Sequence, residues 1–490
     1  MRNAVLLLAA TAVVLTPAAL PAQPVRVLDP REVAEAQRQH AEMVQEFGGA
    51  ETGARGAYVQ SVGQRVAAYS GVANPGASLR FTTLNSAVEN AMAVPGGYIY
   101  ITRQLLTLMD DESQLAFALG HETGHIAANH HRARESAARR NSVSGILGAI
   151  LGSVLGGGIG SAIAQMSQQR AQLSMLSFSR EQEYQADTLA TRYLVAAGYD
   201  PAGGPGVLAA LTRASAIQAR VQGRTNRQTP EWASTHPLSE NRLQRALADA
   251  RATGRLGQGM RNRDQFLAQL EGVTVDDDPA QGIIEGRSFT HPDLRIQFAV
   301  PMGYLMQNSS DAVTIKGSGG QAQFSGGRYR GSLDNYIYQV FQQLTGGRTQ
   351  IMIPPPQRTM INGFPAAFTT ARANTSSGVV DVSVMAYQWD PNTIYHFIML
   401  TQGGAGMSPF VQMVESLRRI SPAEAAAIRP RVIDVVTVRP GDTVQSLASR
   451  MAYRDFQLDR FLALNGLTMA SPLIPGNKVK LIVYGARRRS

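Results

Sequence analysis

Two histidines four residues apart, His121 and His125, enclose a glutamate at position 122. Four residues advance an α-helix by about 6 Å and just over one turn. Both imidazoles of His121-Glu122-Thr123-Gly124-His125 therefore leave one helix face, close enough to share a zinc ion. A carboxylate beside the first ligand can take a proton from a water that the metal has acidified. The pattern is short and also occurs on solvated helix faces. Here Leu115, Leu119 and Ile126 add an apolar stripe, so the spacing predicts a packed helix over 112–131, capped at Asp110 and Asp111. Downstream, the run from Ser179 to Asp187 puts Glu183 and Asp187 four apart on one helix face. Glu183 can complete a two-His, one-Glu site with a fourth position left for water. Asp187 can accept a hydrogen bond from a ligand imidazole and fix its tautomer. The alternative is a charged surface helix, since Glu181 also lies nearby.

The remaining histidines carry less. His130 and His131 fall past the motif on the same expected helix and should face solvent. His40, His291 and His396 have no ligand spacing around them and read as structural.

Four segments, in one order, carry a family resemblance. Asn90-Ala91-Met92-Ala93-Val94-Pro95-Gly96-Gly97 has the form N-A-x-x-x-P-G-G, and the H-E-x-x-H motif follows it. Ser179, Arg180, Glu183, Ala186 and Asp187 then fit S-R-x-x-E-x-x-A-D, and Thr235-His236-Pro237 with Arg242 fits T-H-P-x-x-x-x-R. Over about residues 31–272 the chain resembles the gluzincin metallopeptidases of the HtpX and CAAX prenyl-protease family, in its soluble periplasmic, BepA-like branch. The resemblance implies a zinc endopeptidase with one Zn2+ per chain on His121, His125 and Glu183, and Glu122 as catalytic base. Asp187 and Arg242 would orient the site. An edge strand at about 87–94, including Asn90, Ala91, Met92 and Ala93, would hold substrate backbone by strand addition. His236 would approach the metal, either to stabilise the oxyanion of the tetrahedral intermediate or as a removable fourth ligand that silences the site. Membrane-embedded relatives have several transmembrane helices, which this chain lacks, so a prenyl-protein substrate is not expected.

The elements that must position these residues occupy about half of the 490-residue chain. That length suits two to four domains of roughly 100–200 residues. Apolar residues make up 44% and charged residues 17%, which argues for a globular chain and against disorder. The formal charge is +10, but the Lys and Arg are scattered and no nucleic-acid-binding motif accompanies them. No nucleic-acid partner is expected; an acidic envelope surface suits the charge better. With no cysteine, disulfides, thiolate ligands and a lipidated cysteine anchor are excluded. Arg2, the apolar run 4–15 and the small-residue and proline exit 17–22 read as a cleaved signal peptide over 1–22, hence an exported, periplasmic or envelope protein that is not a lipoprotein.

The expected order is a mainly α-helical zincin-type peptidase domain with a small β-sheet over 23–275, a linker at 276–287, an α+β domain over 288–421, a linker at 422–434, and a small βααβ domain over 435–484. Helix is expected over 31–69, 180–197 and 240–252. The run 143–164 is apolar with Gly148, Gly152, Gly156 and Gly160 every four residues. It cannot cross a bilayer once, since His125 and Glu183 flank it and must meet, which leaves a buried or membrane-surface hairpin. Gly441-Asp442-Thr443, Leu464-Asn465 and Pro475-Gly476-Asn477-Lys478-Val479 make the last unit resemble a LysM module, which implies a peptidoglycan tether. Residues 288–421 resemble the PsbP/Mog-like α+β fold, with no activity inferred.

The resulting expectation is an endopeptidase for misfolded or stalled envelope polypeptides, with a wall-binding module. The rivals are a folding helper or wall-tethered scaffold with a latent metal site, and a peptidoglycan hydrolase.

Overall fold

A computed structural model describes residues 25–131, 178–221, 236, 240–345, 352–375 and 378–486. The expectations for 1–22, for 143–164, and for Thr235 and Pro237 lie outside those residues. The chain is multidomain, with a helical N-terminal region and a large β-rich region after it. Among the described residues no helix is long and apolar enough to cross a membrane.

The helical region opens with α1 (Pro30–Glu46) and α2 (Ala54–Ala67). Gly48 and Gly49, at φ of 81° and 99°, divide the helical stretch expected over 31–69. A short α3 (Pro75–Ser78) leads into β1 (Arg80–Leu84), β2 (Ala91–Val94) and β3 (Tyr98–Thr102). The sheet order is β1-β3-β2, with β1 parallel and β2 antiparallel to β3. β2 is therefore an edge strand. The β2–β3 turn needs its glycines: Gly97 has φ 92°, and a Cβ there would lie 2.1 Å from the Ser78 carbonyl oxygen.

Next come α4 (Arg103–Leu108) and α5 (Glu112–Ala127). The Asp111 side chain caps α5 by accepting from the Gln114 amide at 3.1 Å. α6 (Arg180–Ala196) starts with a capping box between Ser179 and Gln182. α5 and α6 pack closely because their facing residues are small. A Cβ on Gly120 would sit 3.5 Å from Ala190 Cα, and one on Gly124 would sit 3.3 Å from the Ala186 carbonyl. Gly120, Gly124, Ala186 and Ala190 thus form a seam that brings two functional helices within side-chain reach. α7 (Gly203–Val221), α8 (Glu240–Ala252) and α9 (Arg263–Leu270) complete the helical region.

After β4 (Thr274–Val275) the chain turns to β structure. β5 (Ile283–Glu285), β6 (Ser288–His291) and β7 (Ile296–Ala299) form a four-stranded sheet with β15 (Arg418–Arg419). β8 (Leu305–Asn308), β9 (Val313–Gly317), β10 (Gly320–Arg328), β11 (Gln357–Ile361), β12 (Phe364–Thr375), β13 (Gly378–Asp390) and β14 (Thr393–Gln402) form an antiparallel sheet of order β11-β12-β13-β14-β10-β9-β8. α10 (Leu333–Thr345) packs Ile337, Val340 and Phe341 against Val382, Val384 and Ile398 on one face. The other face carries Phe324 and Phe397, which pack with Phe298 of β7 and with Met413 and Val414 of α11 (Val411–Ser416). His396 is buried here with Tyr336 2.8 Å from its Nδ1, a structural role, and His40 is likewise tied to Tyr100 at 2.9 Å.

α12 (Pro422–Ala427) leads to β16 (Arg431–Thr437), α13 (Val444–Ala448), α14 (Gln457–Asn465) and β17 (Lys478–Tyr484). This β-α-α-β unit joins the helical region. β16 pairs with β17 on one side and with β4 on the other. Ile433, Phe461, Leu481 and Ile482 belong to the same hydrophobic cluster as Leu115 and Leu119 of α5. Lys480 is fully buried and donates to the carbonyls of Thr107 at 2.9 Å and Met109 at 2.6 Å. Its Nζ also lies 3.1 Å from Asp110 Oδ1. A buried ammonium needs such partners, and these three hold the α4–α5 junction just before the cap of α5.

Residues 276–285 pack between the regions. Arg103, fully buried, donates to the carbonyls of Thr274 and Asp276 and to Asn85 Oδ1, each at 2.7 Å. Asp276 accepts from the Tyr453 hydroxyl at 2.8 Å, and Asp277 accepts from the Ile284 amide at 2.9 Å. Burial pushes the Asp277 carboxyl up to about 6, with Asp276 adding to it.

Two outcomes follow from these contacts. Lys480→Ala takes the donor from two carbonyls and leaves Asp110 to Arg213 at 3.5 Å, and should cost on the order of 3 kcal/mol in urea unfolding at neutral pH. A carboxyl raised on folding contributes stability below its unfolded pKa and loses it as pH rises through 6. Asp277→Asn keeps the acceptor for Ile284, so it should raise the melting temperature relative to the parent at pH 8 but not at pH 4.

Candidate metal centre

The α5–α6 seam faces the imidazoles of His121 and His125 towards Glu183, and His236 closes over them. All four are buried, and one donor atom from each lies within 4.8 Å of the others. His125 Nε2 is 3.0 Å from His121 Nε2, and His236 Nδ1 is 3.2 Å from His121 Nε2. Glu183 Oε1 lies 2.9 Å from His236 Nδ1 and 3.5 Å from His125 Nε2, while Oε2 lies 3.5 Å from His121 Nε2. A tetrahedral zinc with bonds near 2.0–2.1 Å separates its donors by about 3.3–3.4 Å. The donor set and its spacing therefore fit one zinc ion.

The charge balance is set by Arg242 on α8. Its Nε and Nη2 donate to the two oxygens of Asp187 at 2.7 and 2.8 Å, and its Nη1 lies 2.8 Å from Glu183 Oε2. Nη1 also donates to the His236 carbonyl at 3.4 Å. Burial works against ionising Glu183, but His236 and Arg242 outweigh it and hold the carboxyl well below its usual range. Asp187 is lowered for the same reason, burial again being overcome by Arg242. Asp187 Oδ1 lies 2.9 Å from His121 Nδ1. Burial opposes charge on His121, yet Asp187 and Glu183 lift it to about 9 in the metal-free site.

Glu122 is buried, and neither carboxylate oxygen accepts a hydrogen bond among the described residues. His236 Nε2 lies 3.4 Å from its Oε1. Burial raises its pKa, with His236 and His121 partly offsetting that. Leu105, Phe117, Ala118, Val207 and Leu211 form an apolar wall beside His121 and Glu122, so little solvates this carboxylate.

Asn90, Ala91, Met92 and Ala93 lead into and along edge strand β2, which packs against α5. The Asn90 amide is buried, and neither its Nδ2 nor its Oδ1 has a partner among the described residues.

Two readings change. His130 and His131 are 3% and 5% exposed, not solvent-facing. The helix expected to run to 131 ends at Ala127, and Asn129 turns left-handed at φ 57°. Phe178, unmarked by any spacing, stacks on His125 with ring centroids 3.8 Å apart. The one available signal was Asn129, a residue type that tolerates a left-handed turn.

A helix pair that buries two histidines and a glutamate around one point, with a spare glutamate beside them, presents the donor set of a His-His-Glu metal site. Residues 54–250 match the model of peptidase family M48. The chain is 32% identical over 198 residues to the beta-barrel assembly-enhancing protease of Escherichia coli O157:H7, covering 40% of this chain and 38% of that protein. The protein of the same name from Yersinia pestis is 32% identical over 190 residues, 38% of this chain and 37% of the relative. The mitochondrial metalloendopeptidase OMA1 of Schizosaccharomyces pombe is 28% identical over 189 residues, 38% of this chain and 51% of its length. The chain thus spans under two fifths of the first two relatives. A solution structure of cyanobacterial PsbP from Synechocystis sp. PCC 6803 aligns with 27% of this chain and 91% of that one, at 10% identity and a TM-score of 0.23, which carries no argument for the middle region.

The fork on Arg242 is planar and two-sided, which an ammonium does not reproduce. Arg242→Lys should therefore weaken zinc binding about 10–100-fold, measured by competition with a chromogenic chelator.

Proposed function

We propose that the chain is an exported zinc endopeptidase for unfolded or stalled envelope polypeptides, held latent by His236. The observation that carries this is the spacing of four buried donors around one point, with the Glu122 carboxylate, which accepts no hydrogen bond among the described residues, beside them. Zinc, when bound by His121, His125 and Glu183, acidifies water and polarises a substrate carbonyl.

The chain's own residues do the rest. Glu122, poorly solvated and with a raised pKa, takes the proton of the attacking water and returns it to the leaving amine nitrogen. Asp187 accepts from His121 Nδ1 and so keeps Nε2 facing the donor cluster. β2 has one strand neighbour among the described residues, β3, and can add substrate backbone along its other edge. The unpartnered Asn90 amide at the head of that strand suits a peptide group. His236 completes a four-ligand set, the arrangement of closed sites; catalytic sites keep one position open. Its departure would open that position. This favours a removable ligand over an oxyanion donor.

The envelope substrate class draws on the similarity to the beta-barrel assembly-enhancing proteases. Peptidoglycan contact by 435–484 and surface contact by 143–164 belong to the same proposal. The closed set also favours a second reading, a folding helper whose metal site stays latent.

Cleavage of casein by the zinc-loaded full chain separates the two. Glu122→Gln should lower turnover by at least ~100-fold with zinc content unchanged, and His236→Ala should raise it. If His236→Ala abolishes cleavage, the oxyanion role is correct. If neither the parent nor His236→Ala cleaves with zinc bound, the latent scaffold stands. Muropeptide release from purified wall would revive the hydrolase.

A further inference from the structure

Asp187 orients His121, but among the described residues no carboxylate stands in that position behind His125. Its Nδ1 instead lies 2.8 Å from His130 Nδ1, and His130 Nε2 lies 3.0 Å from Gln185 Oε1. His130 is nearly fully buried. We infer that His130 and Gln185 form a neutral relay that fixes the tautomer of the ligand His125.

With Gln185 Oε1 towards His130 Nε2 and both rings neutral, the chain of protons has one solution. An amide oxygen only accepts, so His130 Nε2 carries the hydrogen that faces Gln185. A neutral imidazole has one N–H, so His130 Nδ1 is bare and must accept. His125 Nδ1 then carries the hydrogen it donates to His130. His125 Nε2 is left with its lone pair, and that is the atom 3.0 Å from His121 Nε2 and 3.5 Å from Glu183 Oε1. The opposite tautomer of His125 would put two bare nitrogens against each other and a hydrogen into the donor cluster.

The backbone is built for this contact. In a continuous helix, five residues rotate by about 500°, which would turn His130 away from His125. α5 stops at Ala127 instead, and Asn129 at φ 57° folds the chain back. Arg26 Nη2 holds that turn by donating to Asn129 Oδ1 at 2.8 Å. α6 fastens the other side, where Gln182 Nε2 donates to the His130 carbonyl at 3.3 Å. One helix therefore supplies the ligand Glu183, the carboxylate behind His121, and the two glutamines that hold His130.

His130 is a positioning residue, and the inference rests on the metal reading of the site but not on proteolysis. The test is zinc affinity of the full chain by chelator competition, with the visible spectrum of the cobalt-loaded protein beside it. His130→Ala should weaken zinc about 10–100-fold and shift the cobalt bands. His130→Gln offers an amide oxygen to His125 Nδ1–H and should recover most of the loss. Gln185→Leu, at an exposed position, frees the His130 tautomer and should weaken zinc in the same direction without unfolding the chain. Unchanged affinity in both His130→Ala and Gln185→Leu overturns the relay. A loss in His130→Ala that His130→Gln does not rescue, with the metal-free melting temperature lowered equally in both, also overturns it in favour of packing alone. A parent chain that binds no zinc overturns the metal reading itself.

Discussion

Two carboxylates a helical turn apart cannot both stay ionised in a closed interior without a cation, and Arg242 is that cation. Glu183 must be charged to serve as a ligand, and Asp187 must be charged to hold the Nδ1 hydrogen of His121. Desolvating either one alone costs several kcal/mol. The guanidinium spans both, with two bonds to Asp187 and one contact to Glu183. It also reaches the His236 carbonyl. The same group thus fixes the charge of the donor set and the position of the residue that closes it.

Distance does the remaining work. The donors can meet because Gly120 and Gly124 let α6 approach α5 to backbone contact. Larger residues at either position would push Glu183 and Asp187 away from the imidazoles. The two ligand histidines are then held differently, one by an ionised carboxylate and the other by neutral groups. A charged acceptor strengthens a hydrogen bond more than a neutral one does, so His121 and His125 are not equivalent ligands.

How much of this was legible in the sequence follows from the range of each interaction. His121, His125, Glu183 and Asp187 were readable because i, i+4 spacing is local and needs only a helix. The edge strand was readable from Pro95-Gly96-Gly97, which demands a tight turn. The helix expected to reach 131 was not: its apolar pattern continues to Ile126, and a left-handed Asn129 ends it with no change in composition. His130 was lost with that boundary, since its position depends on the turn. The pairing of Arg242 with both carboxylates and of Lys480 with the α4–α5 junction joins residues far apart in sequence. No periodicity encodes such contacts. The change from helical to strand-rich sequence was visible, but the seven-stranded order, in which β10 lies beside β14, was not.

The place of β17 in the helical core has a consequence in time. A chain leaves the ribosome N-terminus first. The cluster that holds Leu115 and Leu119 also contains Leu481 and Ile482, and the carbonyls just before the helix of His121 and His125 wait for Lys480. Every residue of the donor set is made well before that strand. Completion of the core, and with it a firmly seated α5, is therefore deferred until β17 has been made. A half-made copy carries the donor residues but not the frame that seats them.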